Sequence, residues 1–269
     1  MNTNIIESTF IQITLKLLFV ASLLVSSISC AQPDSDAGEN KKTYAATVLI
    51  TGANRGIGLE LARQYSEAGW QVIGTARQPD RAMELANLNN ARVVQLDVTD
   101  QDSVMRLVNE LSGQSIDLLI NNAGILPMMR SVANIDIDQF EYIVAVNSIG
   151  PVRVTQALLP NLRASQQKKI INITSNLGSI TDNTGGGFYG YRESKAALNM
   201  FTRSLAAELR PEGFICIVIH PGWVQTDMGG ANAPVPVQES ATGIRSVVDS
   251  LAPEDSGKYW TFEGEQIPW

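Results

Sequence analysis

Six short apolar runs, at 47–50, 71–74, 92–96, 116–120, 169–173 and 214–219, alternate along the chain with longer amphipathic stretches. The runs are rich in Val, Ile and Leu and show little of the apolar-polar alternation of a strand with one wet face, so they read as strands covered on both sides. Amphipathic windows at about 57–68, 100–111, 137–163 and 189–210 supply the covering helices, with Asp100 as an N-cap and Gly69 and Gly113 as stops. A series of this kind predicts an α/β fold: one doubly wound, Rossmann-type domain on a parallel sheet. Such sheets bind ligands beyond the carboxyl ends of their strands, so the functional residues should follow the runs.

The segment after the first run is Thr51-Gly52-Ala53-Asn54-Arg55-Gly56-Ile57-Gly58, and it opens directly into a helix. Glycines let the backbone turn sharply and approach a pyrophosphate, while free N–H groups at the helix start favour the anion. Three glycines alone could mark an ordinary turn; their place at the head of an alternating α/β series makes them a dinucleotide site. At the end of the second run, Gly74-Thr75-Ala76-Arg77-Gln78 lacks the acid that would hold a ribose 2'-hydroxyl. Arg77, helped by Arg55, suits a 2'-phosphate, hence NADP(H) rather than NAD, the competing reading being an arginine that merely faces solvent. Asp97 and Val98 are placed to edge the adenine, and Asn121-Asn122-Ala123-Gly124 offers a tight polar turn beside the cofactor.

Tyr191 and Lys195 stand four residues apart in a helical window, hence on one face. A nearby ammonium stabilises a phenolate, which is expected to lower the pKa of Tyr191 and make it a usable proton donor and acceptor. Tyr189 competes as the phenol, but Glu193 four residues on would act in the wrong direction. Ser175 follows the 169–173 run, placed to hydrogen-bond a substrate carbonyl. A serine hydrolase would want a Gly-x-Ser-x-Gly elbow and a downstream histidine; the elbow is missing and the only histidine is His220, at a strand end before Pro221-Gly222.

Composition narrows the chemistry further. A net charge of -7 argues against nucleic acid, and two cysteines, Cys30 and Cys216, with one histidine argue against a disulfide framework or a metal site. Residues 1–30 carry an apolar run of signal-peptide length, and Ser29-Cys30 is similar to a lipoprotein processing site. The plain alternative is an incidental apolar extension. A polar tract at 31–42 reads as a flexible tether, leaving 43–269 as the NADP-binding oxidoreductase domain. Such a leader would tether the protein to a membrane or export it; without one the domain is cytoplasmic.

Taken in order, Thr51 to Gly58, Asn121 to Gly124, Asn147, Ser175, Tyr191 with Lys195, and Pro221-Gly222 resemble the motif series of the short-chain dehydrogenase/reductase family over residues 45–269. The stretches 191–199 and 220–230 and the ending Gly264 to Trp269 are similar to its sniffer-type carbonyl reductases and C-factor-like bacterial proteins. The resemblance implies reduction of a small aldehyde or ketone, with Tyr191 as general acid, Lys195 holding the nicotinamide ribose, Ser175 orienting the carbonyl and Asn147 sustaining a water-linked relay to Lys195. It further implies that Pro221, Gly222 and Thr226 shape the nicotinamide pocket, with Val224 as a backbone contact. The alternative is a nucleotide-binding signalling protein of the C-factor type with little turnover. Homodimers and homotetramers built on the 137–163 and 189–210 helices occur in the family, as do monomers. Sixteen positions separate Ser175 from Tyr191, more than in many members, and the excess around 184–188 is expected to form a mobile rim at the substrate entrance.

Overall fold

The computed structural model describes residues 44–269. The leader at 1–30, with Cys30, and the tether at 31–42 lie outside the described residues. Seven strands, β1 (Thr47–Ile50), β2 (Gln71–Ala76), β3 (Ala91–Gln95), β4 (Leu118–Asn121), β5 (Lys169–Ile173), β6 (Ile215–His220) and β7 (Tyr259–Thr261), form one sheet in the order β3-β2-β1-β4-β5-β6-β7. Every neighbouring pair is parallel. The order reverses between β1 and β4, which opens the crevice where an open α/β sheet takes its ligand.

Period-two alternation sorts the strand side chains between two cores. Val48, Ile50, Leu118, Ile120, Ile171 and Ile217 face helices α1 (Gly56–Glu67) and α7 (Val237–Ser250), while Leu49, Leu119, Ile170 and Cys216 face the other side. There they meet α3 (Gln101–Glu110), α5 (Gly150–Arg163) and α6 (Tyr191–Leu209). Each fully buried Leu or Ile contributes about 1.5–3 kcal/mol, so the doubly covered sheet is the main source of stability. Asp100 caps α3 by accepting from the Asp102 amide at 3.0 Å, as its position predicts. Asp117, fully buried, ties the sheet's lower end by accepting from Thr47 N at 2.9 Å and from the Tyr44 hydroxyl.

Three differences from the sequence expectation bear on the site. The 137–163 window is not one helix: α4 (Ile137–Val144) passes through a π turn (Ala145–Ile149) before α5 begins. The 189–210 helix starts at Tyr191, because Gly190 takes φ +79° and its amide is capped by the Glu193 carboxylate at 2.6 Å. Three elements had no counterpart in the sequence reading: the short α2 (Met83–Ala86), α7 and β7.

His220, at the end of β6, gives the fold an acid sensitivity. Its Nδ1 has no hydrogen-bond partner among the described residues, and burial pushes the imidazole down to about 4. The folded form therefore stays neutral while the unfolded chain takes up a proton near pH 6.5, so stability is lost as pH falls through 6.5 toward 4. Between pH 7 and pH 5 the loss is about 2 kcal/mol. Urea unfolding at the two pH values should show wild type losing that much more than His220→Asn; equal losses would count against this account.

Candidate active site

The crevice is lined by the turns after β1, β2, β4, β5 and β6. Thr51 knits the first of these to the third: its Oγ1 accepts from the amides of Asn122 and Ala123, both at 3.0 Å. In return the Asn122 carboxamide donates to Thr51 O at 2.9 Å and Gly52 O at 3.1 Å. Gly52 and Gly56 take φ of +64° and +56°, left-handed values that β-carbon-bearing residues rarely adopt. Among the described residues no side chain caps the start of α1, which leaves the amides beside Asn54, Arg55 and Ile57 open toward an anion, the arrangement a pyrophosphate requires.

The loop after β6 reaches over this turn. The methyl of Thr226 lies where a Cβ on Gly56 would stand 3.3 Å away, and Arg55 Nη1 contacts Asp227 Oδ2 at 2.5 Å. Pro221 O accepts from Ser240 Oγ at 2.6 Å, Gly222 takes φ +86° against Phe262, and Val224 pairs with Val235. Together these fix the wall that carries Pro221, Gly222, Val224 and Thr226.

At the adenine end, Arg77 is exposed just past β2, its guanidinium 3.4 Å from the Tyr142 hydroxyl. Burial opposes ionisation of Asp97, but hydrogen bonds from Thr99 and the charges of Arg77 and Arg153 outweigh it and hold the carboxyl below its ordinary range. Val98 is buried and its carbonyl accepts from Arg153 at 2.6 Å. The Asn121 side chain turns away from the surface into a buried polar ladder, donating to Thr155 Oγ1 at 3.1 Å and Asn172 Oδ1 at 2.8 Å.

At the chemical end, Ser175, Tyr191, Lys195 and Asn147 converge. Tyr191 is 7% exposed, and the Ser175 hydroxyl stands near enough to its phenol to counter part of the effect of burial. Lys195 Nζ lies 5.7 Å from the Tyr191 ring centroid and donates to Ile173 O at 2.8 Å. Burial lowers the lysine from its ordinary value to about 8 and pushes the tyrosine up to about 12, the nearby Ser175 hydroxyl opposing the latter. The expected depression of the Tyr191 pKa by Lys195 does not appear: desolvation dominates the phenol, and only the Ser175 hydroxyl opposes it.

The π turn presents Asn147 to the loop after β4. Its Oδ1 accepts from Ile125 N and its Nδ2 donates to Ile125 O, both at 2.9 Å, with a further bond to Ser194 Oγ at 3.1 Å. A Cβ on Gly124 would lie 3.3 Å from Asn147 Oδ1 and 3.8 Å from Lys195 Nζ, which puts Gly124 between the two. Asn147 itself makes no direct bond to Lys195. Ala123 is fixed through the Thr51 contact above.

The glycine run beside the site is tied in several places. Arg192 Nε donates to Gly186 O at 3.3 Å and Gly187 O at 3.2 Å, its Nη1 to Leu177 O at 3.2 Å, and Tyr189 N donates to Met129 O at 3.0 Å. Arg192 escaped the sequence reading although it adjoins Tyr191, as did Asp227 beyond Thr226; neither belongs to a spacing that points to chemistry. Among the described residues no cluster of His, Cys, Asp and Glu could hold a metal, and no helix is long and apolar enough to cross a membrane.

Comparison with known proteins agrees with this geometry. The family model described as short chain dehydrogenase matches residues 46–234. The carbonyl reductase Sniffer of D. melanogaster superposes with a TM-score of 0.79 at 34% identity, covering 84% of this chain and 100% of that one. An NADPH-bound carbonyl reductase from chicken fatty liver gives 0.75 at 36%, covering 84% and 99%. The C-signal protein of Myxococcus xanthus is 46% identical over 154 residues, 57% of this chain and 93% of that protein.

Proposed function

The chain belongs to the short-chain dehydrogenase family, and from that membership we propose that it is an NADP(H)-dependent oxidoreductase that reduces an aldehyde or ketone. The observation that carries the proposal is the gathering of Ser175, Tyr191 and Lys195: a buried phenol beside a hydroxyl, with an ammonium 5.7 Å from its ring. Similarity to an NADPH-bound carbonyl reductase supports the cofactor and the substrate class.

Gly52, Gly56 and Gly58 with the open start of α1 would hold the pyrophosphate, Arg77 the 2'-phosphate, and Lys195 the nicotinamide ribose. Bound there, the nicotinamide supplies a hydride to the carbonyl carbon. Ser175 and Tyr191 offer two hydroxyls to the carbonyl oxygen, and as charge builds on that oxygen Tyr191 gives it a proton. A phenol held at about 12 arrives protonated at neutral pH, which suits the reductive direction. Asn147 keeps the loop after β4 and the Ser194 turn in register with Lys195, and a water-linked relay through this region would return the proton to Tyr191.

Cofactor choice has its own test. Arg55 is engaged by Asp227, whereas among the described residues Arg77 has only a 3.4 Å contact with Tyr142, so Arg77 is the cation more readily recruited by a phosphate. Losing one charge-assisted bond at an exposed site costs about 1.5 kcal/mol, roughly tenfold in affinity. Arg77→Asp should therefore weaken NADPH binding at least about tenfold while leaving NADH binding within about threefold, by fluorescence titration; parallel losses would remove Arg77 from this role.

A second reading, a nucleotide-binding signalling protein, is favoured by the 46% identity to C-signal. It requires tight NADPH binding with no turnover on a broad carbonyl panel, an outcome the reductase reading excludes.

A further inference from the structure

Ser175 is held from below as well as facing Tyr191. Its main-chain carbonyl accepts from two donors, Gly178 N–H at 2.7 Å and the Tyr259 hydroxyl at 2.5 Å. Gly178 closes the 3-10 turn Asn176–Gly178, whose other end is capped by the Ser175 hydroxyl accepting from Leu177 N at 3.2 Å. Tyr259 comes from β7, at the edge of the sheet, and is 1% exposed.

The Tyr259 ring packs against Trp269 with centroids 5.3 Å apart, tilted by 43°. The main-chain oxygen of Trp269 in turn accepts from Thr181 N at 3.1 Å. Both ends of the 175–181 segment are thus fastened to one aromatic pair. From α6, Asn199 accepts from Thr174 Oγ1 at 2.7 Å and donates to Gly178 O at 3.2 Å. Burial, the largest influence, pushes the Tyr259 phenol above its ordinary range, so it remains a proton donor throughout the neutral range.

We propose that Tyr259, backed by Trp269, is a positioning residue that fixes the Ser175 peptide and thereby aims the Ser175 hydroxyl at the substrate oxygen. The proposal rests on the reductase reading above. A shift of 1 Å in a catalytic group can cost about 10²-fold in rate, so a support of this kind is felt in turnover.

Tyr259→Phe keeps the ring and its contact with Trp269 and removes only the hydroxyl. It should lower kcat about tenfold, leave the KM for NADPH within about twofold, and speed amide exchange over 175–181. In a Ser175→Ala background the same substitution should change kcat by less than about twofold, because the group it positions is gone. An equal loss in both backgrounds, a loss confined to NADPH binding, or unchanged kcat would overturn the proposal. Should Tyr259→Phe not fold, Trp269→Leu must give the same pattern. If wild type reduces no carbonyl, the reductase reading fails by itself, and unchanged amide exchange over 175–181 in Tyr259→Phe would separately overturn the brace.

Discussion

Tyr191→Phe is expected to lower kcat for NADPH-driven carbonyl reduction by about 10³-fold, within the 10²–10⁴ range that a positioned proton donor contributes. The ring is buried in a closed wall, so phenylalanine fills the same space and the fold and cofactor site stay intact. What disappears is the phenol proposed as the proton donor to the substrate oxygen. Tyr189 lies outside α6, and its neighbour Glu193 is spent on capping Gly190. Steady-state NADPH consumption with a panel of reactive aldehydes and ketones measures the effect, while fluorescence titration should find NADPH affinity within about twofold of wild type. Unchanged turnover would remove Tyr191 from the chemistry and the mechanism with it.

Gly58→Ala should be almost as damaging, for a reason that runs against intrinsic preference. Within a helix, alanine is favoured over glycine by about 1 kcal/mol. At Gly58, however, a Cβ would stand 2.5 Å from Asn122 Nδ2 and 2.6 Å from Gly52 O. Neither neighbour can yield cheaply: Asn122 is bonded to Thr51 O and Gly52 O, and Gly52 is backbone in a left-handed conformation. Overpacking of this kind costs about 1–3 kcal/mol and would push the glycine turn away from the turn after β4. Urea unfolding should show destabilisation, and NADPH affinity should fall more than about tenfold. A variant more stable than wild type with unchanged affinity would refute the close approach.

Those two residues were legible in the sequence for different reasons. Gly58 announced itself by local spacing at a strand-helix turn, and Tyr191 by its partner one helical turn away. Strands with both faces covered were equally plain, since a buried run needs no context to be recognised. What stayed hidden depends on contacts between distant positions. Tyr259 meets Ser175 across 84 residues, from a strand only three residues long. The helix α7 keeps Ala241, Ile244, Val247 and Val248 buried at helical spacing, but its first turn is polar and follows two prolines, so the segment does not announce itself as a helix. Continuous apolar period hid the π turn as well, because a single wide turn leaves the pattern on either side intact. Composition also hides a tie on the glycine run: Arg192, outside it, donates to Gly186 O and Gly187 O.

The strand order also dictates when the site can come into being. β1 sits between β2 and β4, so the first three strands of the chain can pair among themselves while one edge of β1 stays bare. The glycine turn that follows β1 acquires its anchor only when Asn122 and Ala123 arrive, some 70 residues later in the chain. During synthesis the nascent chain therefore passes through a stage with an open strand edge and no competent nucleotide site, the condition under which edge-to-edge association is most damaging. Arrival of β4 covers that edge of β1 and completes the turn in one step, passing the open edge on to β4 until β5 pairs with it.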